Sequence, residues 1–528
     1  MHKSRLRQVS LLLSGLSLAL GTASAQSARQ TTLVYGGDFS DLLTLDPGMS
    51  YEFTGSLIDD NLYETLVKFE GTDLSTLRPS LARSWSVKDA GNTWKVTFQL
   101  RPGKFASGRP VTAADVVYSF DRAVALKGNG SFLFTDVANI KVGSTVATNP
   151  STVVVTLPKT ASPNAFLNLL TFNIGGIVDS VEVKSHATDN DYGSGWLKTH
   201  SAGSGPFVLN RWDQGQQVAL DANPNATLKP KLRRVILRNI TEANAQKIAL
   251  ESGEIDIAQN LTPDMFKAAA GNKQFQTLQS DSLRLQYLAM NSGAGSPFAD
   301  ARVRQAVRYA IDQDGIVSGL LGGLGRKTQT IVPRGLFGAS AALPYSHNVA
   351  KARALLAAAG KPSGFSVELL VPSGVGGGGV PYADLAAKLQ ADLAPVGIKV
   401  NIRQIVESEL LNLYRAQKAT LLLEAWSPDF PDPDGNATPM SDYAAKSLAY
   451  RTRWNNPAAA KLAQQAALET NAQKRAALYK QLNTLQLQSG PFAILYQPSV
   501  PIVLSNKVKG FVRNAQGQIR FEDISKLP

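Results

Sequence analysis

A chain of 528 residues with no cysteine, opening on what reads as an export signal, must hold its fold outside the cytoplasm without a disulfide. Its stability has to come from buried apolar surface, and a chain this long is expected to divide into two or more domains. The leader reads MHKSRLRQVSLLLSGLSLALGTASAQ: Lys3, Arg5 and Arg7 precede an apolar run from Val9 to Leu20, and Ala23-Ser24-Ala25 supplies small residues for a signal peptidase. That run is shorter than the ~20 residues a membrane-spanning helix needs. Residues 1–25 are therefore read as a signal peptide cut after Ala25. No other stretch is long and apolar enough to span, so the mature chain is expected to be soluble. Without a cysteine after the cut, it is not expected to be a lipoprotein.

The net charge is +13; removing Lys3, Arg5 and Arg7 with the signal leaves +10. A positive envelope favours anionic surfaces. The basic residues are nevertheless spread along the chain, with no basic arm, zinc-finger spacing or aromatic RNA-binding motif, so nucleic-acid binding is not expected.

Short strands and helices alternate, which predicts an α/β or α+β build. In Thr93–Leu100 (TWKVTFQL), Trp94, Val96, Phe98 and Leu100 share one face, as in a half-buried strand. Thr112 with Asp115 three residues on resembles a capping box, and Val116, Val117, Phe120 and Val124 form the stripe of the helix that follows. Asp300 caps a second helix with Val303, Ala306, Val307, Ala310 and Ile311 inward, and Arg302, Arg304 and Arg308 are expected to be solvated. A third helix runs from Asn348 to Ala359 and stops at Gly360, and a fourth covers Lys474–Gln488.

Chemistry-bearing motifs are sparse. The histidines beyond the leader, His186, His200 and His347, have no ligand spacing for zinc, and no G-x-S-x-G nucleophile elbow occurs. Gly374–Gly379 matches G-x-G-x-x-G by letter, but Pro372 and Ser373 separate it from the preceding strand and the next strand, Ile398–Ile402, ends in Arg403 and Gln404, not an acid. It is read as a flexible loop, and no cofactor is expected. The segment Trp426–Pro439, WSPDFPDPDGNATP, holds three carboxylates. As a calcium loop it fails at position 12, where Ser441 stands, and no metal is expected. Asp432 and Asp434, between prolines, read as turn chemistry. Asp429 follows an apolar strand and a tryptophan, which suits a recognition site. A carboxylate pair for glycoside hydrolysis stays open at this level.

Several segments together resemble one family. They are Leu45-Asp46-Pro47 followed by Asn61–Val67 (NLYETLV), the long run Leu77–Phe120, Gly203–Phe207 (GSGPF), Tyr287–Asn291, Phe298–Asp312, Leu393–Val400 and Trp426–Pro433. The chain is similar to the extracytoplasmic solute-binding proteins of peptide-type ABC importers, the dipeptide, oligopeptide and nickel cluster. The resemblance implies an α/β, two-lobe periplasmic-binding-protein fold with hinge strands. Lobe one would cover residues 26–280 and 496–528, with an extra subdomain over 77–184; lobe two would cover 281–495. It implies a non-enzymatic monomer, periplasmic or extracytoplasmic, that captures a small solute, a peptide on this reading, and delivers it to an ABC permease in the membrane. By the W-x-x-D match, Asp429 would pair with the ligand amine beside Trp426. Tyr51, Phe53 and Tyr382 are candidate cleft aromatics. The arginine that dipeptide binders carry before the Tyr382 helix is absent here, where the glycine run stands. A sugar or metal complex, and a hydrolase using Asp429, Asp432 and Asp434, remain the alternative readings.

Overall fold

The computed structural model describes residues 30–259 and 261–527. The expected signal peptide lies outside the described residues. One twelve-stranded mixed sheet runs through the molecule, and its centre is the 14-residue strand Phe492–Ser505. The first part of that strand, Phe492–Tyr496, pairs antiparallel with Leu285–Met290. Its last part, Ser499–Ser505, pairs antiparallel with Phe275–Asp281. Two antiparallel segments, 275–290 and 492–505, thus cross from one half of the protein to the other. Gln497 fastens the crossing: its Nε2 donates to the Ser282 and Arg334 carbonyls at 2.6 and 2.9 Å, and its Oε1 accepts from the Arg334 amide.

The first lobe stands on Thr32–Gly37, which pairs parallel with Arg234–Asn239 and with Ile257–Ala258. Leu33, Tyr35, Ile58, Leu220, Val235 and Ile502 pack in its core. The second lobe stands on Leu285–Met290, where all six residues (LQYLAM) are buried. A strand covered on both faces reads as continuous apolar sequence. Leu421–Trp426 pairs antiparallel with it, and beyond that strand Phe365–Pro372 and Ile398–Ile405 pair parallel, linked by the helix Tyr382–Leu393.

A separate antiparallel sheet, in the order Ala82–Asp89, Thr93–Leu100, Thr152–Pro158, Thr145–Asn149, carries its own core of Val96, Phe98, Phe120, Phe134 and Val155. The helix Ala113–Leu126 packs there behind a complete Thr112–Asp115 capping box. Asp300 caps Ala301–Ala310, Asn348 caps Val349–Ala358 with left-handed Gly360 just beyond, and the fourth helix is Ala472–Ser489.

Two expectations are corrected. Arg304 and Arg308 are buried rather than solvated: their guanidinium groups donate to the carbonyls of Phe298, Ala299, Ser489, Gly490 and Phe492, at the turn that leads into the long crossing strand. The glycine run is a loop, with Gly374, Val375 and Gly379 exposed, but Gly376–Gly378 in its middle are held against neighbours. The Gly376 amide donates to the Val380 carbonyl at 2.8 Å, and Tyr496 Oη donates to the Gly377 carbonyl at 3.0 Å. A Cβ on Gly377 would stand 2.7 Å from Pro498, and one on Gly378 2.5 Å from Leu321. Glycine is needed for this close approach to the crossing strand.

Candidate functional site

Where the lobes face each other lies a cavity of about 680 Å³. That falls within the roughly 300–1,000 Å³ usual for small-molecule sites. Lobe one lines it with Asp41, Tyr51, Phe53, Asp60, Phe172, Gln259, Arg513 and Gln516; lobe two contributes Ser427, Pro428 and Asp429.

Tyr51 is delivered by the turn after Leu45. Asp46 is fully buried and takes the Arg122 guanidinium through both oxygens, at 2.6 and 2.8 Å. It also accepts the Gly48 amide, and its carbonyl accepts the Met49 and Ser50 amides. A bidentate pair of this kind fixes direction as well as distance. The Tyr51 ring then lies edge-on to Phe132 and Phe172, with centroids 5.7 and 6.3 Å away. Its hydroxyl donates to Asp429 Oδ1 at 2.6 Å, across the two lobes. Phe53 starts the helix Phe53–Leu62 and is largely exposed at the cavity edge.

Asp429 follows the strand Leu421–Trp426, in a loop that is tied down after it. Trp426 Nε1 donates to the Gly435 carbonyl at 2.9 Å. Phe430 is buried in the core of the separate antiparallel sheet, alongside Leu133, Phe134 and Phe166. Asp432 is fully buried, pairs with Arg475 at 2.6 Å and accepts from Asn168 Nδ2 at 2.7 Å. Asp434 accepts from Thr438 Oγ1 at 2.6 Å. The turn reading of Asp432 is therefore too local. It accepts the Asp434 amide at 2.9 Å, as a turn acid does, but it also anchors the loop to Arg475 and to the other lobe. Of the three carboxylates, only Asp429 lines the cavity.

The site has an uncompensated negative end. Burial pushes the Asp429 carboxyl above its ordinary range, with the Tyr51 hydrogen bond partly offsetting it. Burial also pushes the Asp60 carboxyl up, to about 7. Asp429 has no ion-pair partner among the described residues. A cation entering the cavity would supply one, in a setting where a charge-assisted bond is shielded from water.

The expected site residues thus separate. Tyr51, Phe53 and Asp429 are brought together on one cavity, whereas Trp426 and Tyr382 are not among its lining residues. Tyr382 is buried in the second lobe's core, its hydroxyl accepting from Arg284 Nη2 at 3.1 Å. Sequence reasoning missed Asp41, Asp60, Gln259, Arg513 and Gln516. Arg513 and Gln516 sit in a polar turn (RNAQGQ, residues 513–518) that carries no motif, and only tertiary structure brings them to the cavity.

Residues 76–447 match the bacterial extracellular solute-binding proteins, family 5. The chain belongs to this family. Among family 5 relatives, the probable D,D-dipeptide-binding periplasmic protein DdpA of Escherichia coli (strain K12) is 29% identical over 507 residues, covering 94% of this chain and 95% of DdpA. The dipeptide-binding protein of the same strain is 26% identical, covering 98% of this chain and 99% of its own. In structure, HbpA2 from Haemophilus parasuis superposes with a TM-score of 0.84 at 25% identity, covering 94% of this chain and 100% of its own. The fold is the two-lobe α/β fold of periplasmic binding proteins, and family 5 relatives are binding proteins.

Proposed function

We propose that this protein is the exported, peptide-capturing component of an ABC importer, acting as a monomer without turnover and handing its ligand to a membrane permease. Residues 1–25 would be its cleaved signal, and the periplasm or its equivalent its compartment. The lobes would be residues 26–280 with 496–528, and 281–495, hinged where segments 275–290 and 492–505 cross; residues 77–184 would form the extra subdomain. The relatives named for dipeptides support a peptide ligand.

The observation that carries the reading is Asp429: a half-buried carboxylate without a cationic partner among the described residues, on the face of one lobe, bonded to Tyr51 of the other. A peptide's α-ammonium matches it. The ligand would enter while the lobes are apart and favour the closed form by touching both, a population shift set by its higher affinity for that form. A hydrolase reading has less support, because Asp432 and Asp434 point to partners inside the loop and protein.

The test is peptide-induced thermal stabilisation of the wild type and of Asp429→Asn. A ligand at a hundred times its dissociation constant adds about 2.7 kcal/mol. The wild type should gain this and the variant should lose most of it. A full shift in the variant would mean that Asp429 is not the anchor.

A further inference from the structure

The cavity has a second pole that the peptide reading leaves unused. Four carboxylates line it, Asp38, Asp41, Asp60 and Asp429, against one guanidinium, that of Arg513. Arg513 has no carboxylate partner among the described residues. Its Nη1 makes only long contacts: 3.5 Å to Ser280 Oγ and 3.4 Å to the carbonyls of Asp281 and Asn514. Its Nε and Nη2 have no hydrogen-bond partner among the described residues.

Three residues on, Gln516 also lines the cavity, and both its side-chain Oε1 and Nε2 are buried without a partner among the described residues. Buried polar groups are normally satisfied, so an orphaned one points to a partner that has yet to arrive. A guanidinium with free donors and an orphaned amide, in one turn and on one cavity, together describe a receptor for an oxyanion. A planar guanidinium offers two parallel N–H donors to a carboxylate, and the amide N–H adds a third.

The turn is held rigidly. The Asn514 amide donates to the Gln518 carbonyl, and Asn514 Oδ1 accepts the Gln516 and Gln518 amides at 3.1 and 3.0 Å. The Leu283 amide donates to the Ala515 carbonyl at 3.1 Å, tying the turn to the crossing segment. Gln518 reaches Asp60 and the Thr171 carbonyl. A receptor that is already in place binds at a smaller entropic cost.

We propose that Arg513 and Gln516 hold the carboxylate end of the ligand, so that this cavity selects a zwitterion gripped at Asp429 by its amine and at the 513–516 turn by its carboxylate. This rests on the peptide reading and makes it more specific. It assigns to the C-terminal segment of lobe one the anion-binding task that the glycine run has no side chain to perform. The excess of carboxylates in the cavity works against ligands that are anionic throughout.

Matched di-, tri- and tetrapeptides in three forms test it: free, with a C-terminal carboxamide, and N-acetylated. Each is titrated calorimetrically into the full mature chain. Loss of a hydrogen bond to a charged group corresponds to roughly 10- to 100-fold in affinity. The wild type should bind the carboxamides that much more weakly than the free peptides. In Arg513→Gln the two forms should bind alike, and Arg513→Lys should recover part of the gap. A role for Arg513 only in shaping the hinge would weaken both forms equally. Equal binding of free and carboxamide peptides by the wild type would overturn this proposal and leave the peptide reading standing. No binding of any form would overturn both.

Discussion

Asp429 and Tyr51 form a single hydrogen bond that joins two lobes through a carboxylate raised by burial. An ammonium needs the ionised carboxylate. Affinity for amine-bearing ligands should therefore fall as pH drops through the Asp429 range, beginning above the ~3.9 of an ordinary aspartate. Calorimetry at a series of pH values measures this, and N-acetylated peptides should show no such dependence. A second titration concerns stability. Burial pushes Glu424 to about 7, Asp60 to about 7 and Asp434 to about 6. The folded chain keeps these protons where the unfolded chain has lost them. Their contribution to stability is therefore lost as pH rises from about 4 to about 7. Glu424→Gln removes one such group, and denaturant midpoints over that range should decline less steeply in the variant. At this scale the sequence was readable where the signal was local, as in the strand, tryptophan and acid that led to Asp429. It misplaced Arg304 and Arg308 as solvated and was silent on Arg513. Their partners lie as far as 186 residues away for Arg304 and 233 for Arg513, and nothing local separates a buried arginine from a solvated one.

At the scale of elements, the loop Ser427–Gly435 works because it is fastened from both lobes. Breaking the buried Asp432–Arg475 pair by Asp432→Asn should cost ~3–5 kcal/mol, since it leaves a buried guanidinium uncompensated. Urea unfolding measures that loss, and the double change Asp432→Leu with Arg475→Met should cost less than either single one. Elements governed by period and caps were legible: the helix behind Asp300, the Thr112–Asp115 capping box and the Gly360 stop all follow from spacing. The glycine run misled because composition alone does not distinguish an open loop from one whose glycines let Pro498 and Leu321 approach. That difference predicts that Gly378→Ala, at a left-handed position beside Leu321, destabilises the protein, with a lowered melting temperature as the readout.

At the scale of the whole molecule, two crossing segments and one inter-lobe cavity make a trap. Away from the crossing segments in sequence, the lobes also meet through Tyr51–Asp429, Asn168–Asp432 and Asn164–Glu469. Asn168→Ala removes one of these contacts while sparing the ligand's own. It should weaken ligand affinity a few-fold by disfavouring closure, with little change in the melting temperature of the ligand-free protein. The resemblance in the sequence anticipated the two-lobe build; the cavity's lining depends on how the lobes face each other, which no local pattern encodes. The most direct measurement is native mass spectrometry of the protein purified from its own host, identifying what it carries. A series of short peptides with free amino and carboxyl ends is the predicted result. A single sugar or metal complex in the cavity would contradict the account.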